Sequence, residues 1–179
     1  MSRVARFEQP GEILKRALAY PYAAPERSFL YVDAIVLELS PAELEQVETS
    51  EPAREPLLAY GANAAPEALA RKLATLPAVP LPAVRAELLD FDVVYSAHIS
   101  PYGAVPATLH ESRGAAVPVH VLYPTAEQRA LLAATEPNYE LTQLTGIELR
   151  FGPEVAPLLG DAAPAAVDAF LSRHGWLSI

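Results

Sequence analysis

Between Pro56 and Leu73 the chain passes through an apolar run, a turn of small residues and a proline-started helix, and that order constrains the fold more than any other stretch. Leu57, Leu58, Ala59 and Tyr60 have the character of a short buried strand. Gly61 and Asn63 follow, residue types that tolerate positive φ and so suit a tight turn. Pro66 fits the first turn of a helix, where a missing N–H costs nothing, and Leu69 and Leu73 recur at i, i+4. A strand that enters a helix through such a turn leaves backbone N–H groups without internal partners, a nest for anions or carbonyl oxygens. The same residues also make an ordinary strand–turn–helix corner, so this motif alone assigns no chemistry.

Around this stretch the pattern is mixed. Ile13, Leu14, Ala17 and Leu18 lie on one face of a short amphipathic helix over residues 10–20, and Tyr20-Pro21-Tyr22 breaks it. Ser28 to Leu39, rich in β-branched and aromatic residues, is expected to be extended. Ser40 and Glu43 form a capping box that opens a second helix, and Thr125 and Gln128 repeat the logic for a helix carrying Leu131 and Leu132. Residues 76–84, with three prolines, are expected to be a loop. Strands are expected at 88–95, 105–109 and 116–123, with further β-type positions in 139–151. A last helix is expected at about 163–173, burying Val167, Phe170 and Leu171 and stopped by Gly175. The polar, proline-bearing segment 50–56 suggests a boundary, giving an α/β extension over 1–55 packed on a main domain over 56–179. The apolar run Phe29 to Leu37 would not stay in water as a free tail.

Composition narrows the function. With 51% apolar and 20% charged residues among 179, the chain can bury a core. A formal charge of −9 argues against nucleic acid or an anionic membrane as partner. No apolar run approaches the ~18 to 20 residues of a bilayer span, and no signal-type segment follows the N-terminus, so a cytoplasmic protein without a membrane partner is expected. There is no cysteine, hence no thiol nucleophile and no zinc–thiolate site. His98, His110, His120 and His174 lack ligand spacing, so no metal is expected. Neither a G-x-S-x-G elbow nor a P-loop is present. Asp90 and Asp92 alternate with apolar residues and are expected on a solvated strand face.

Three landmarks in order carry a family resemblance: Tyr60-Gly61-Ala62-Asn63 leading into a helix, Ala107-Thr108-Leu109 in the middle, and Glu136 closing a Leu-rich helix. Over roughly residues 55–152 the chain resembles the gamma-glutamylcyclotransferase-like family. The resemblance implies an α+β fold built on a small mixed β-barrel with flanking helices, and no organic or metal cofactor. It implies a small-molecule gamma-glutamyl substrate, cleaved to 5-oxoproline and a free amine by attack of the substrate's own α-amine. Glu136 would shuttle the proton, and Tyr60, Gly61, Ala62, Asn63 and Tyr139 would bind substrate. The chain departs from the family pattern at Ala62, where Ser is usual, at His120, where a small residue near the site is expected, and at Tyr139, which stands closer to Glu136 than the family's spacing. The alternative of a different class is a catalytically idle member of the fold that binds a small ligand or a protein. The identity of the substrate and the oligomeric state are not legible in the chain.

Overall fold

A computed structural model describes residues 9–48, 54–76, 78–153, 155 and 164–178. The architecture is α+β. Eight strands lie in one mixed, mostly antiparallel sheet: β1 (Phe29–Val32), β2 (Ile35–Glu38), β3 (Leu57–Ala59), β4 (Leu81–Tyr95), β5 (Ala107–Leu122), β6 (Tyr139–Thr145), β7 (Leu149–Phe151) and β8 (Ala166–Ser172). The helices among the described residues are α1 (Pro10–Leu18), α2 (Pro41–Glu48), α3 (Pro66–Lys72) and α4 (Ala126–Ala134). None is long and apolar enough to cross a membrane.

The strand order is β2-β1-β4-β5-β3-β8-β6, with β7 paired on β4. Its end strands β2 and β6 do not meet, so the sheet is open and the barrel expected from the resemblance is not closed. An isolated antiparallel bridge, Ser96 to Trp176, ties the end of β4 to the segment after β8. In the middle of the sheet, Leu57 and Leu58 register with Leu122 and Val121 of β5 on one side and run parallel to Asp168 and Ala169 of β8 on the other. β3 is therefore a central strand, which is why three residues suffice: both faces and both edges are covered.

Alternation along β3 sorts the core into two layers. Leu58 packs with Val84, Val119, Val121 and Val167, joined by Leu44 of α2. Leu57 and Ala59 face the other way, onto Leu69 of α3 and Leu73 just after it, Leu132 of α4 and Phe29 of β1. The helix starts follow the capping chemistry of the sequence. Ser40 N–H donates to Glu43 Oε2 at 2.7 Å, and at α4 Thr125 N–H donates to Gln128 Oε1 at 2.9 Å while Gln128 N–H returns to Thr125 Oγ1 at 3.2 Å.

Several expectations are corrected. Residues 166–172 are β8, not a helix: Val167 and Phe170 suit a helical face, but Val167 and Ala169 equally suit a strand face, and pairing with β3 and β6 decides. Ala163 lies outside the described residues, as does most of the expected boundary at 50–56. The proline-rich stretch expected as a loop contributes Leu81 to Val84, all buried, as the start of β4. Ser28 to Leu39 is a hairpin, with Asp33 and Ala34 at positive φ (49° and 62°) in the two-residue turn. Its first strand pairs with β4, Phe29 opposite Ala83, so this part of the first 55 residues sits inside the sheet. The two strands expected at 105–109 and 116–123 are one, β5. Asp90 is not a plain face residue: it bulges β4 at φ 61°, and its Oδ1 accepts the N–H of Gly114 at 2.6 Å. Helix α1 forms as expected, but none of its residues is buried.

Candidate functional site

The sheet brings the three sequence landmarks to one cavity of about 1100 Å³. β3 delivers Tyr60 and Gly61 to its mouth, and the chain then makes a 3₁₀ turn (Ala62–Ala64) into α3. Within that turn Ala64 N–H donates to the Gly61 carbonyl at 2.9 Å and Ala65 N–H to the Ala62 carbonyl at 3.1 Å. The turn thus satisfies its carbonyls, while the N–H groups of Gly61, Ala62 and Asn63 have no backbone acceptor among the described residues. All three residues line the cavity.

Glu136 enters from the opposite side. α4 ends at Ala134, and Glu136 N–H still donates to the Ala133 carbonyl at 3.0 Å before Pro137 diverts the chain. The carboxylate meets the turn directly. Asn63 Nδ2 donates to Glu136 Oε1 at 3.1 Å, Lys72 Nζ lies 2.5 Å from the same oxygen, and Lys72 also donates to Asn63 Oδ1 at 2.7 Å. Lys72 and Glu136 side chains are each only 15% exposed, so this triangle works in a partly desolvated setting where charge interactions strengthen.

Tyrosines form the walls. Tyr60 Oη donates to the Phe170 carbonyl, and burial raises its phenol pKa above the usual range. Tyr139 Oη donates to the Ala107 carbonyl at 2.7 Å, and burial raises its pKa as well. Ala107 N–H in turn donates to Tyr20 Oη at 2.7 Å; burial pushes that phenol up to about 12, with the Ala107 bond acting the other way. Ala107 is therefore clamped by two tyrosines, which explains why the middle landmark sits at the site. Each of these hydroxyls is engaged by backbone, so the tyrosines shape the cavity and stay neutral across the physiological range.

Gly61 is placed by close approach rather than by turn geometry. Its φ is −133°, outside the left-handed region expected for a glycine turn. A Cβ there would stand 3.3 Å from Tyr20 Oη and 3.6 Å from Ala107 Cβ. Gly61→Ala is expected to push the Tyr20 hydroxyl off the Ala107 amide and to destabilise the fold by about 1–3 kcal/mol. Urea unfolding of the variant checks this; an unchanged midpoint would show that the neighbouring ring yields freely.

Sequence reasoning missed Lys72, Tyr20 and His98. Lys72 stands nine positions from Asn63 in the last turn of α3, and only the fold of that helix against the turn brings its ammonium back. His98 lines the cavity from the loop after β4, its ring edge-on to Tyr139 with centroids 5.8 Å apart. Burial and the neighbouring His174 lower its pKa, while Glu136 pulls it the other way. His120, expected near the site, instead packs edge-on against Phe29. Among the described residues no group of three His, Asp or Glu side chains could hold a metal ion. The arrangement suits a zwitterionic small molecule: an acid to take an ammonium group, and a cation with unpaired amides to take carboxylate or carbonyl oxygens.

No protein-family model and no curated protein matches the chain. Among solved structures it is similar to the solution structure of an Arabidopsis thaliana protein, at 16% identity over 73% of each chain with a TM-score of 0.44.

Proposed function

We propose that this protein is a cofactor-independent cyclotransferase of the gamma-glutamylcyclotransferase-like kind, cleaving a gamma-glutamyl amide to 5-oxoproline and a free amine. The observation that carries the reading is the meeting of Glu136 with Asn63 of the Gly61–Asn63 turn inside one cavity. The reaction asks little of a protein. The α-amine is tethered to the carbonyl it attacks, so effective molarities of order 10⁵ to 10⁸ M are available once the ring-closing conformer is held. Glu136 takes a proton from the substrate's α-ammonium, and the freed amine attacks the γ-carbonyl carbon to form the lactam C–N bond. The turn amides stabilise the oxyanion, and Glu136 hands its proton to the departing nitrogen as the original C–N bond breaks. The carboxylate then takes the second proton from the lactam nitrogen and passes it to the released amine, which leaves as an ammonium ion. For this the substrate ammonium must displace Lys72 from Glu136, leaving Lys72 to the substrate's α-carboxylate. Ala62 keeps the backbone N–H that a serine would offer and lacks only its hydroxyl.

A second reading, a binding protein without turnover, is favoured by the same Lys72 contact: an internal ammonium already occupies the carboxylate at 2.5 Å. The two are separated by measuring release of 5-oxoproline from a panel of gamma-glutamyl amino acids and gamma-glutamylamines. The expected result is turnover of at least one panel member without added metal. No turnover by folded protein on any of them would leave the binding reading in place.

A further inference from the structure

Behind the cavity wall a chain of hydroxyls leads to His98. Ser96 is fully buried, and its Oγ lies 2.7 Å from His98 Nδ1 and 2.6 Å from Ser172 Oγ. Ser172 Oγ in turn accepts the backbone N–H of His174 at 3.1 Å. Each hydroxyl has one proton, and a buried one must be placed on an acceptor. If Ser172 donates to Ser96 and Ser96 donates to His98 Nδ1, every proton in the chain has an acceptor. In the reverse direction Ser172, which is only half-buried, would accept twice and turn its own proton to solvent. The first direction makes Nδ1 of the neutral ring an acceptor and places the ring proton on Nε2. Nε2 has no hydrogen-bond partner among the described residues, and it is not among the buried unpaired atoms.

The cavity that His98 lines is electrostatically unlike the rest of the chain. Arg16, Arg71 and Lys72 line it against Glu136 as the one carboxylate among the described lining residues, in a protein of formal charge −9. Lys72 is satisfied by Glu136 and Asn63, and Arg71 by Glu67 at 2.6 Å. The local balance nonetheless favours an anionic ligand over a cation.

We propose that His98 is a carboxylate-binding residue of this cavity, its Nε2–H held as a donor by the Ser172–Ser96 hydroxyl relay. The proposal concerns binding and holds for either reading of the cavity. A neutral donor suits the place: the ring lies against His174, 4.8 Å between centroids and tilted by 37°. His174 itself is steadied from the far side by Asn138 Oδ1, 3.3 Å from its Nε2.

The test is ring nitrogen NMR of the full chain near pH 8, with L-glutamate as the probe. In the wild type His98 is expected to be neutral with its proton on Nε2, and that resonance is expected to move on titration with L-glutamate. His98→Ala should weaken glutamate binding by roughly tenfold or more, the loss expected for a hydrogen bond to a charged acceptor. His98→Gln, whose amide N–H reaches towards the Nε2 position, should recover part of that loss. Ser96→Ala should leave the ring in place but yield a mixture of tautomers. A proton on Nδ1 in the wild type would overturn the relay. Glutamate that fails to bind, or that binds without moving the His98 resonances, would overturn the ligand contact. Absence of 5-oxoproline release with the His98 shift intact would remove turnover and leave this site standing, whereas turnover with His98 unmoved would do the reverse.

Discussion

Glu136→Gln is expected to lower 5-oxoproline release by about 10² to 10⁴ while the protein remains folded. Gln keeps the length and an oxygen that can accept from Asn63 Nδ2 and Lys72 Nζ, the two donors that hold the carboxylate at 3.1 and 2.5 Å. What it loses is the capacity to take a proton from the substrate's ammonium and return it to the leaving nitrogen. Glu136→Asp withdraws the carboxylate by one methylene, out of hydrogen-bond reach, and is also expected to lose rate. Because either change disturbs Lys72, which is only 15% exposed, thermal unfolding of each variant must accompany the assay. Full turnover by Glu136→Gln would take Glu136 out of the chemistry and leave it as Lys72's structural partner.

Acidification is expected to destabilise the protein through His120, by on the order of 3 kcal/mol once the pH is below the folded-state value. His120 is wholly buried on β5, its Nδ1 has no partner, and its Nε2 lies 3.3 Å from the Arg27 carbonyl. Burial pushes its pKa down from 6.5 to about 4; the Arg27 carbonyl opposes this and Arg85 adds to it. The unfolded chain therefore holds the proton at pH values where the folded chain does not. Stability is complete above about pH 6.5 and is lost as the pH falls towards about 4. His120→Leu fits an apolar neighbourhood that includes Phe29 and removes the titrating group. Urea unfolding at pH 7.5 and 4.5 should show a smaller acid loss in the variant than in the wild type. Carboxylates also protonate in this range, but they are common to both proteins and cancel in the difference. Equal acid losses would show that His120 is not the group that couples stability to pH.

Much of the local structure is determined by short-range chemistry and was legible before any coordinates. The capping boxes at Ser40 and Thr125, Pro66 at the start of α3, and the apolar run Leu57–Ala59 are each specified by neighbours within four residues. The α+β class, expected from the family resemblance, agrees with the elements observed. The tertiary structure decided what local chemistry leaves open. Val167, Ala169 and Phe170 satisfy two periodicities at once, and only the free edge of β3 and the partner β6 make the segment a strand. Whether the sheet closes depends on how far its two end strands stand apart, and no single strand encodes that. At the site, the sequence marked Glu136 and the Gly61–Asn63 turn through order along the chain. It could not place Lys72 on Glu136 across 64 positions, or link Ser96 to Ser172 across 76, because a side-chain contact at that separation exists only after the backbone has folded. That is the physical reason the candidate acid could be read in the chain while its cation and the histidine beside it could not.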